Sequence, residues 1–355
     1  GIGLAGGYYI SGTAYTLYQS YKPHTSVTIR IDTEGGVTVF CAAAEIGQGC
    51  TTAIAQMAAE ALGIYAEDVH VQVGDTEIGS FDLGSFASRV TYATGSAILE
   101  AAKEINTKIK IMAAGLLGCR ADQLKIQNRK IFSMFEPKFT IDWAEVVQKY
   151  VNAHGALVAI GHFSPPRRKG IDIWTGKRVQ GANIGHSPTF GFSCQVHEVE
   201  VDPETGRIYV RKVTEAGDLG QPVNPLAVDG QVEGSIVKNM GAALYEEMKF
   251  DDQGRHLNPN FHDYKLPTFM ELPDIDTNIV DSYDPTAPFG VKETGEGAVQ
   301  PTFPAINNAV YDAIGVRFNS VPITPEMVVK ALKEKKEKGV DKLRYETPWP
   351  GPQNK

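Results

Sequence analysis

Glu296 stands between two glycines in the run Lys292-Glu293-Thr294-Gly295-Glu296-Gly297. Glycine adds no Cβ and adopts unusual φ and ψ at little cost, so a carboxylate flanked this way can be brought close to a bulky ligand. The chemistry such an acid could do is proton transfer with a bound group, worth roughly 10²–10⁴-fold in rate. Alone, the hexapeptide also fits a solvated loop between a strand and a helix. Three further stretches carry groups suited to a large polar ligand. Gly47-Gln48-Gly49 lies directly before a helical run, where the free amides of a first helical turn can hold an anion such as a phosphate. Arg89 is the one cation of the small-residue run Gly84-Ser85-Phe86-Ala87-Ser88-Arg89, and it fits either a surface salt bridge or a contact to a phosphate or a pterin. Gln231 lies in Asp229-Gly230-Gln231-Val232-Glu233-Gly234, and its amide both donates and accepts, which suits the mixed edge of a pterin ring. Gly230 and Gly234 each cost a helix about 1 kcal/mol relative to alanine, so something is expected to pack close to the backbone there.

The elements that must position these groups are legible in outline. Val27 to Ile31 and Val37 to Cys41 read as a hairpin around Asp32-Thr33-Glu34-Gly35-Gly36. The helix after Gly49 keeps Ile54, Met57, Ala58, Ala61 and Leu62 on one face and stops at Gly63. Val69 to Val73 is a strand, and a long helix spans Tyr92 to Leu117. A second hairpin, Cys194 to Val201 and Arg207 to Val213, turns at Asp202-Pro203-Glu204-Thr205-Gly206. Asn224-Pro225 starts the helix that carries Gln231. Helices are also expected around Ile141 to Val151, from Pro304 to Ile314 and after Thr324-Pro325-Glu326. Gly1, Gly3 and Gly6 spell G-x-G-x-x-G, but the run precedes a strand-like Tyr8-Tyr9-Ile10 and a turn at Ser11-Gly12, so it is not a dinucleotide fingerprint. The units 27–62 and 194–242 share one order of hairpin then helix, which points to an α+β fold of two related, elongated sheet-plus-helix modules. We place the first at 1–190, the second at 191–340 and a tail at 341–355.

Composition excludes several classes. A formal net charge of −8 argues against nucleic acid and anionic membrane as partners. The cluster Arg167-Arg168-Lys169 with Lys177-Arg178 has no interleaved aromatics and reads as a solvated loop. No apolar run reaches the roughly 20 residues of a membrane span. The four cysteines, Cys41, Cys50, Cys119 and Cys194, form no C-x-x-C pair and read as free buried thiols, so no iron–sulfur cluster or zinc site is expected on this chain. A reducing cytoplasm fits. The start lacks a basic n-region and a Met, so the chain reads as part of a longer polypeptide or a processed one.

Glu45-Ile46-Gly47-Gln48-Gly49, Gly84 to Arg89, Asp229 to Gly234 and Lys292 to Gly297 stand in one order. In that order, with the strands and helices between them, they resemble the molybdenum hydroxylases of the xanthine oxidase family. The likeness covers about the C-terminal half of that family's large catalytic subunit and this chain from residue 1 to about 335. It implies that Gly47, Gln48 and Gly49 hold the pyranopterin or the dinucleotide phosphates through backbone N–H groups. Ser85, Phe86, Ala87, Ser88 and Arg89 would lie against molybdenum and its dithiolene, Gln231 would bond the pterin, and Gly295 would touch the cofactor. No side chain would ligate the metal, which the dithiolene holds near Ala87 and Glu296. The implied cofactor is molybdopterin in its cytosine dinucleotide form. Glu296 matches the family's general base on a molybdenum-bound hydroxide, with hydride passing to a terminal sulfido or selenido ligand.

The resemblance also implies partners. The family's earlier half, with its Gly-rich loop and substrate residues, has no counterpart here, so a second molybdopterin subunit is expected to supply it, as in the split subunits of the nicotinate dehydrogenase branch. Iron–sulfur and flavin (FAD) centres would sit on other subunits, and the substrate would be a small heteroaromatic or aromatic molecule. Lys292-Glu293 to Gly297 and Gly84 to Arg89 are also similar to the 4-hydroxybenzoyl-CoA reductase branch, which leaves reductive dehydroxylation open, as is a half-subunit that clamps cofactor without catalysis.

Overall fold

The computed structural model describes residues 1–11, 23–136, 138–164, 187 and 189–346, and the backbone alone of 169–171 and 178–180. Gly12, the basic cluster's side chains and the tail beyond residue 346 lie outside that description. The chain runs β1 (Ile2–Ser11), β2 (Thr25–Ile31), β3 (Val37–Cys41), α1 (Cys50–Leu62), β4 (Val69–Gln72) and α2 (Val90–Leu117). A small three-stranded sheet follows, β5 (Leu124–Gln127), β6 (Lys130–Ser133) and β7 (Thr140–Asp142), then α3 (Trp143–His154) and β8 (Leu157–Phe163). The short pair β9 (Lys169–Ile171) and β10 (Arg178–Gln180) precedes β11 (Thr189–Val201), β12 (Ile208–Asp218), α4 (Pro225–Leu244) and β13 (Asp274–Ile279). The chain ends with α5 (Thr302–Ile314), β14 (Val316–Phe318), α6 (Pro325–Glu337) and β15 (Leu343–Tyr345).

Two four-stranded sheets dominate, in the orders β4-β3-β2-β8 and β13-β12-β11-β1. Each centres on an antiparallel hairpin, β2–β3 or β11–β12. Both hairpins turn on an aspartate whose carboxylate accepts loop amides: Asp32 from Glu34 and Gly36, Asp202 from Glu204. A crossover helix, α1 or α4, then brings a third strand parallel to the hairpin's second strand. A second helix packs on the outer antiparallel strand. That contact is backbone to backbone: a Cβ on Gly161 of β8 would lie 1.9 Å from the Ala97 carbonyl of α2, and one on Gly3 of β1 would lie 2.1 Å from the Ala305 carbonyl of α5. Gly1 and Gly3 of the G-x-G-x-x-G run therefore serve packing of the chain start against α5, while Gly6 faces only the neighbouring strand at Ser193.

Each sheet and its helices enclose one core. Val27, Ile29, Val39, Ile54, Ile98 and Ile105 belong to the first, and Val213, Ile236, Met240, Ala309 and Val310 to the second. Burying each of the Val, Ile and Met side chains among them stabilises the fold by roughly 1.5–3 kcal/mol. The break at 190/191 falls inside β11, and residues 2–11 join the second sheet, so the modules interleave along the chain. The expected helix at 141–151 begins instead at Trp143, because Thr140–Asp142 pairs with β6. Cys41 and Cys50 are buried, whereas Cys119 and Cys194 are only half-buried.

Candidate functional site

In both modules the turns that run from a strand into a helix converge. The β3–α1, β4–α2, β12–α4 and β13–α5 connections together line one cavity of about 420 Å³. Its walls are largely apolar, with Ile46, Ala53, Phe86, Val90, Leu219, Val223 and Val228 among them. Of the residues singled out in the sequence, Gln48, Gly49, Ser85, Phe86, Ser88, Arg89, Gln231, Gly295 and Glu296 meet there. Gly47 and Ala87 do not line the cavity, though both belong to turns that do.

The β3–α1 turn differs from its expected role. Gly47 and Gly49 adopt φ of 102° and 77°, which only glycine takes at little cost. Their amides donate to Glu45 Oε1, at 3.0 and 2.9 Å, while the Thr51 amide and hydroxyl donate to Oε2. The anion at this helix start is therefore the chain's own Glu45. Partial burial alone would raise the Glu45 pKa, but the donors from Thr51, Gly49 and Gly47 outweigh it and hold it at about 2. Gln48 is also committed locally: Oε1 accepts from the Ile46 amide and Nε2 donates to the Ala44 carbonyl.

Arg89 is neither exposed nor in a surface salt bridge. It is 1% exposed, and so is the side chain of its partner Asp82, 2.8 Å away. Its further hydrogen bonds go to the Gly84 and His24 carbonyls and the Thr25 hydroxyl. This clamp closes a loop in which Ala87 and Ser88 both take left-handed φ, 49° and 47°, strained values for residues with a side chain. Ser85 Oγ ties the same loop to Ala44, accepting from its amide and donating to its carbonyl.

Glu296 Oε2 accepts a 3.1 Å hydrogen bond from Ser88 Oγ, so the two modules meet at this carboxylate. The Tyr9 hydroxyl also bonds Glu296; burial, then the negative charge and hydrogen bond of Glu296, push the Tyr9 pKa up to about 12. Beneath it lies Glu293, 2% exposed. Its Oε2 accepts from the Glu296 amide at 3.3 Å and the Gly297 amide at 3.1 Å. Burial raises the Glu293 pKa to about 7 against the opposing pull of those amides, and the Glu296 charge raises it further. Lys292 is paired with Asp218 at 2.7 Å. On the α4 wall, Gln221 and Gln231 have no side-chain hydrogen bond among the described residues. A Cβ on Gly230 or Gly234 would meet nothing within 4 Å, so no part of the described chain packs on that backbone.

Glu45, Glu293 and Tyr9 escape a reading by motif alone. Glu45 precedes Gly47, Gly49 and Thr51 by two, four and six residues, and Glu293 precedes the two amides that it caps by three and four. An acid at that distance before a helical turn is the signal that could have found both. Tyr9 is 287 positions from Glu296, and no local pattern connects them.

A model of the molybdopterin cofactor-binding domain matches residues 1–273. The chain is 33% identical over 295 residues to a putative xanthine dehydrogenase molybdenum-binding subunit of Escherichia coli K12, covering 82% of this chain and 37% of that protein. It is 29% identical to the nicotine 6-hydroxylase large subunit of Paenarthrobacter nicotinovorans, covering 87% of this chain and again 37% of the relative. Quinoline 2-oxidoreductase of Pseudomonas putida 86 superposes with a TM-score of 0.82 at 29% identity, over 94% of this chain and 42% of that one. The chain thus spans little more than a third of the length of these curated relatives.

Proposed function

The chain belongs to the molybdopterin cofactor-binding family of xanthine-oxidase-type molybdenum hydroxylases, and on that premise we propose that it forms part of the catalytic subunit of a molybdenum-dependent oxidoreductase. The reaction we assign is hydroxylation of an N-heterocyclic or aromatic carbon with oxygen from water. The observation that carries this reading is the convergence of Glu296, Ser88, Gln231 and Gly49 on one cavity, although they lie up to 247 positions apart. The residues present fit a pterin. The walls are apolar, the Gln221 and Gln231 amides are unengaged among the described residues, and Gly230 and Gly234 leave the α4 backbone bare. Gln231 would bond the heterocycle's edge, and the strained Phe86–Ser88 turn would press on the cofactor from the facing wall. Gly47 and Gly49 would act through the conformation of their turn, since Glu45 occupies their amides. In a cytosine dinucleotide form, the phosphates would draw their donors from elsewhere.

When bound, the molybdenum cofactor supplies two-electron redox chemistry and activation of a water-derived oxygen. Glu296 would accept a proton from that oxygen. Ser88 and Tyr9 orient the carboxylate by donating to it. The apolar walls keep bulk water from the reacting carbon. Electrons would leave through iron–sulfur and FAD centres on partner subunits. What supports a partner is the outer face of the second sheet: Leu4, Tyr8 and Phe192 are 59%, 62% and 52% exposed, and the pairings Leu4–Val196, Gly6–Cys194 and Tyr8–Phe192 make the patch continuous. We assign that face to polypeptide corresponding to the rest of the relatives' large subunit. Purification of the intact assembly tests both points. Near-stoichiometric molybdenum and a co-eluting polypeptide of that kind are expected; a stable, active preparation without molybdenum would overturn the reading. Glu296→Gln should keep the molybdenum and lose roughly 10²–10⁴-fold in turnover, and turnover within a few-fold of the parent protein would refute the role of Glu296.

A further inference from the structure

Glu293 is buried, ionisable and adjacent to the site, yet the proposed reaction gives it no task. Three contacts define its place. Oε2 caps the backbone that carries Glu296, accepting from the amides of Glu296 and Gly297. Oε1 has no hydrogen-bond partner and lies between two glycines: a Cβ would come within 2.7 Å of it at Gly191 and within 2.0 Å at Gly297. The residue's own amide donates to Ser11 Oγ at 2.9 Å, which fixes Glu293 to the end of β1. The carboxyl is therefore enclosed, and apart from a side-chain hydrogen bond with Ser88 it holds the peptide from which Glu296 projects.

We propose that Glu293 is the positioning residue for Glu296: its carboxyl fastens the Glu296–Gly297 backbone and so sets the direction in which the Glu296 side chain enters the cavity. The glycines at 191 and 297 are the other half of the device, because any side chain there would expel Oε1 from its slot. The proposal rests on the reading of Glu296 as a base, but the fastening itself is a property of this chain and is measurable apart from turnover. A capping carboxyl works here as a neutral acceptor as well as an anion, since one oxygen accepts both amides and the other faces no donor. Glu296 and Tyr9 are the titratable groups that face it. An isosteric amide should therefore replace it, and a truncated side chain should not.

The test uses the intact assembly and amide hydrogen exchange of the peptide covering 292–300, with that of β12 as the internal reference. Glu293→Ala should speed exchange in 292–300 at least tenfold and leave β12 unchanged. It should also lower kcat at least tenfold with KM within threefold. Glu293→Gln should restore both protection and kcat to within threefold of the parent, and should remove any inflection near neutral pH that belongs to Glu293. Gly297→Ala, which keeps both carboxylates but blocks the slot, should behave as Glu293→Ala. Unchanged exchange in Glu293→Ala, or a Gln variant as impaired as the Ala variant, would overturn the positioning role. If Glu293→Ala frees the peptide while Glu296→Gln keeps normal turnover, the fastening stands and the assignment of Glu296 as base falls.

Discussion

The two modules have the same strand order and the same pair of strand-to-helix turns facing the cavity, yet the first crossover helix of each begins differently. α1 starts on an anion: Glu45 neutralises the amides of Gly47, Gly49 and Thr51. α4 starts on a neutral cap, Asn224, which accepts from Ala227 at 3.3 Å with Pro225 in the first turn. The turns into the second helices also differ. In the first module the buried Arg89–Asp82 pair holds the loop, and in the second the buried Glu293 does. One topology thus supports opposite charge arrangements. In the first module Glu45, Asp82 and Arg89 all hold loops in shape, whereas in the second Glu293 does so and Glu296 is left to face the cavity.

Five substitutions test that division of labour. The largest effect on stability is expected from Arg89→Leu, which leaves Asp82 buried without its cation; denaturant unfolding should show a loss of about 3–5 kcal/mol. A loss below about 1 kcal/mol, the range of exposed pairs, would mean that the pair is not a clamp. Next come Gly161→Ala and Gly3→Ala. Each puts a methyl into a facing helix carbonyl, and each should cost about 1–3 kcal/mol. Similar costs would sharpen the equivalence of the α2–β8 and α5–β1 contacts, whereas a cost at one site alone would break it. The smallest effects belong to the helix starts. Glu45→Gln and Asn224→Ala should each cost about 1 kcal/mol at neutral pH. They should part on titration. The folded-state pKa of Glu45 is depressed, so its stabilisation is present above 4.5 and is lost as pH falls through about 2. Glu45→Gln should abolish that acid-side loss, and Asn224→Ala should retain it. Glu293 has the opposite sign: with a raised pKa, the part of its contribution linked to protonation is full below 4.5 and is lost as pH rises through about 7, while its capping of the two amides persists.

How much of this was legible in the sequence follows from how local each feature is. Both hairpins, the Gly63 stop of α1, the Asn224 cap and the Thr324 cap depend on residues within a few positions of one another, and each is present. The pairing of β1 with β11 was not legible, since strands almost 190 residues apart leave no periodic trace. The site divides in the same way. Glycine-flanked turns and Glu296 were visible, but which acceptor an amide chooses is decided by geometry. Hence the Gly47 and Gly49 amides read in sequence as donors to a ligand, although a carboxylate two to four residues away holds them. Arg89 was visible as a lone cation, but its burial depended on His24 and Thr25, far upstream.

The inner face of β1 runs beneath the second module's Glu293–Gly297 turn and the start of α5: Gly3 on Ala305, Gly7 on Gln300, Tyr9 on Glu296 and Ser11 on the amide of Glu293. During synthesis that strand emerges from the ribosome roughly 280 residues ahead of the turn it supports. The first sheet needs only residues up to 163 and can assemble while translation continues, since domains fold largely as units in order of emergence. The second cannot complete its sheet until β11 appears. Chaperone occupancy is therefore expected to concentrate on nascent chains between those two lengths.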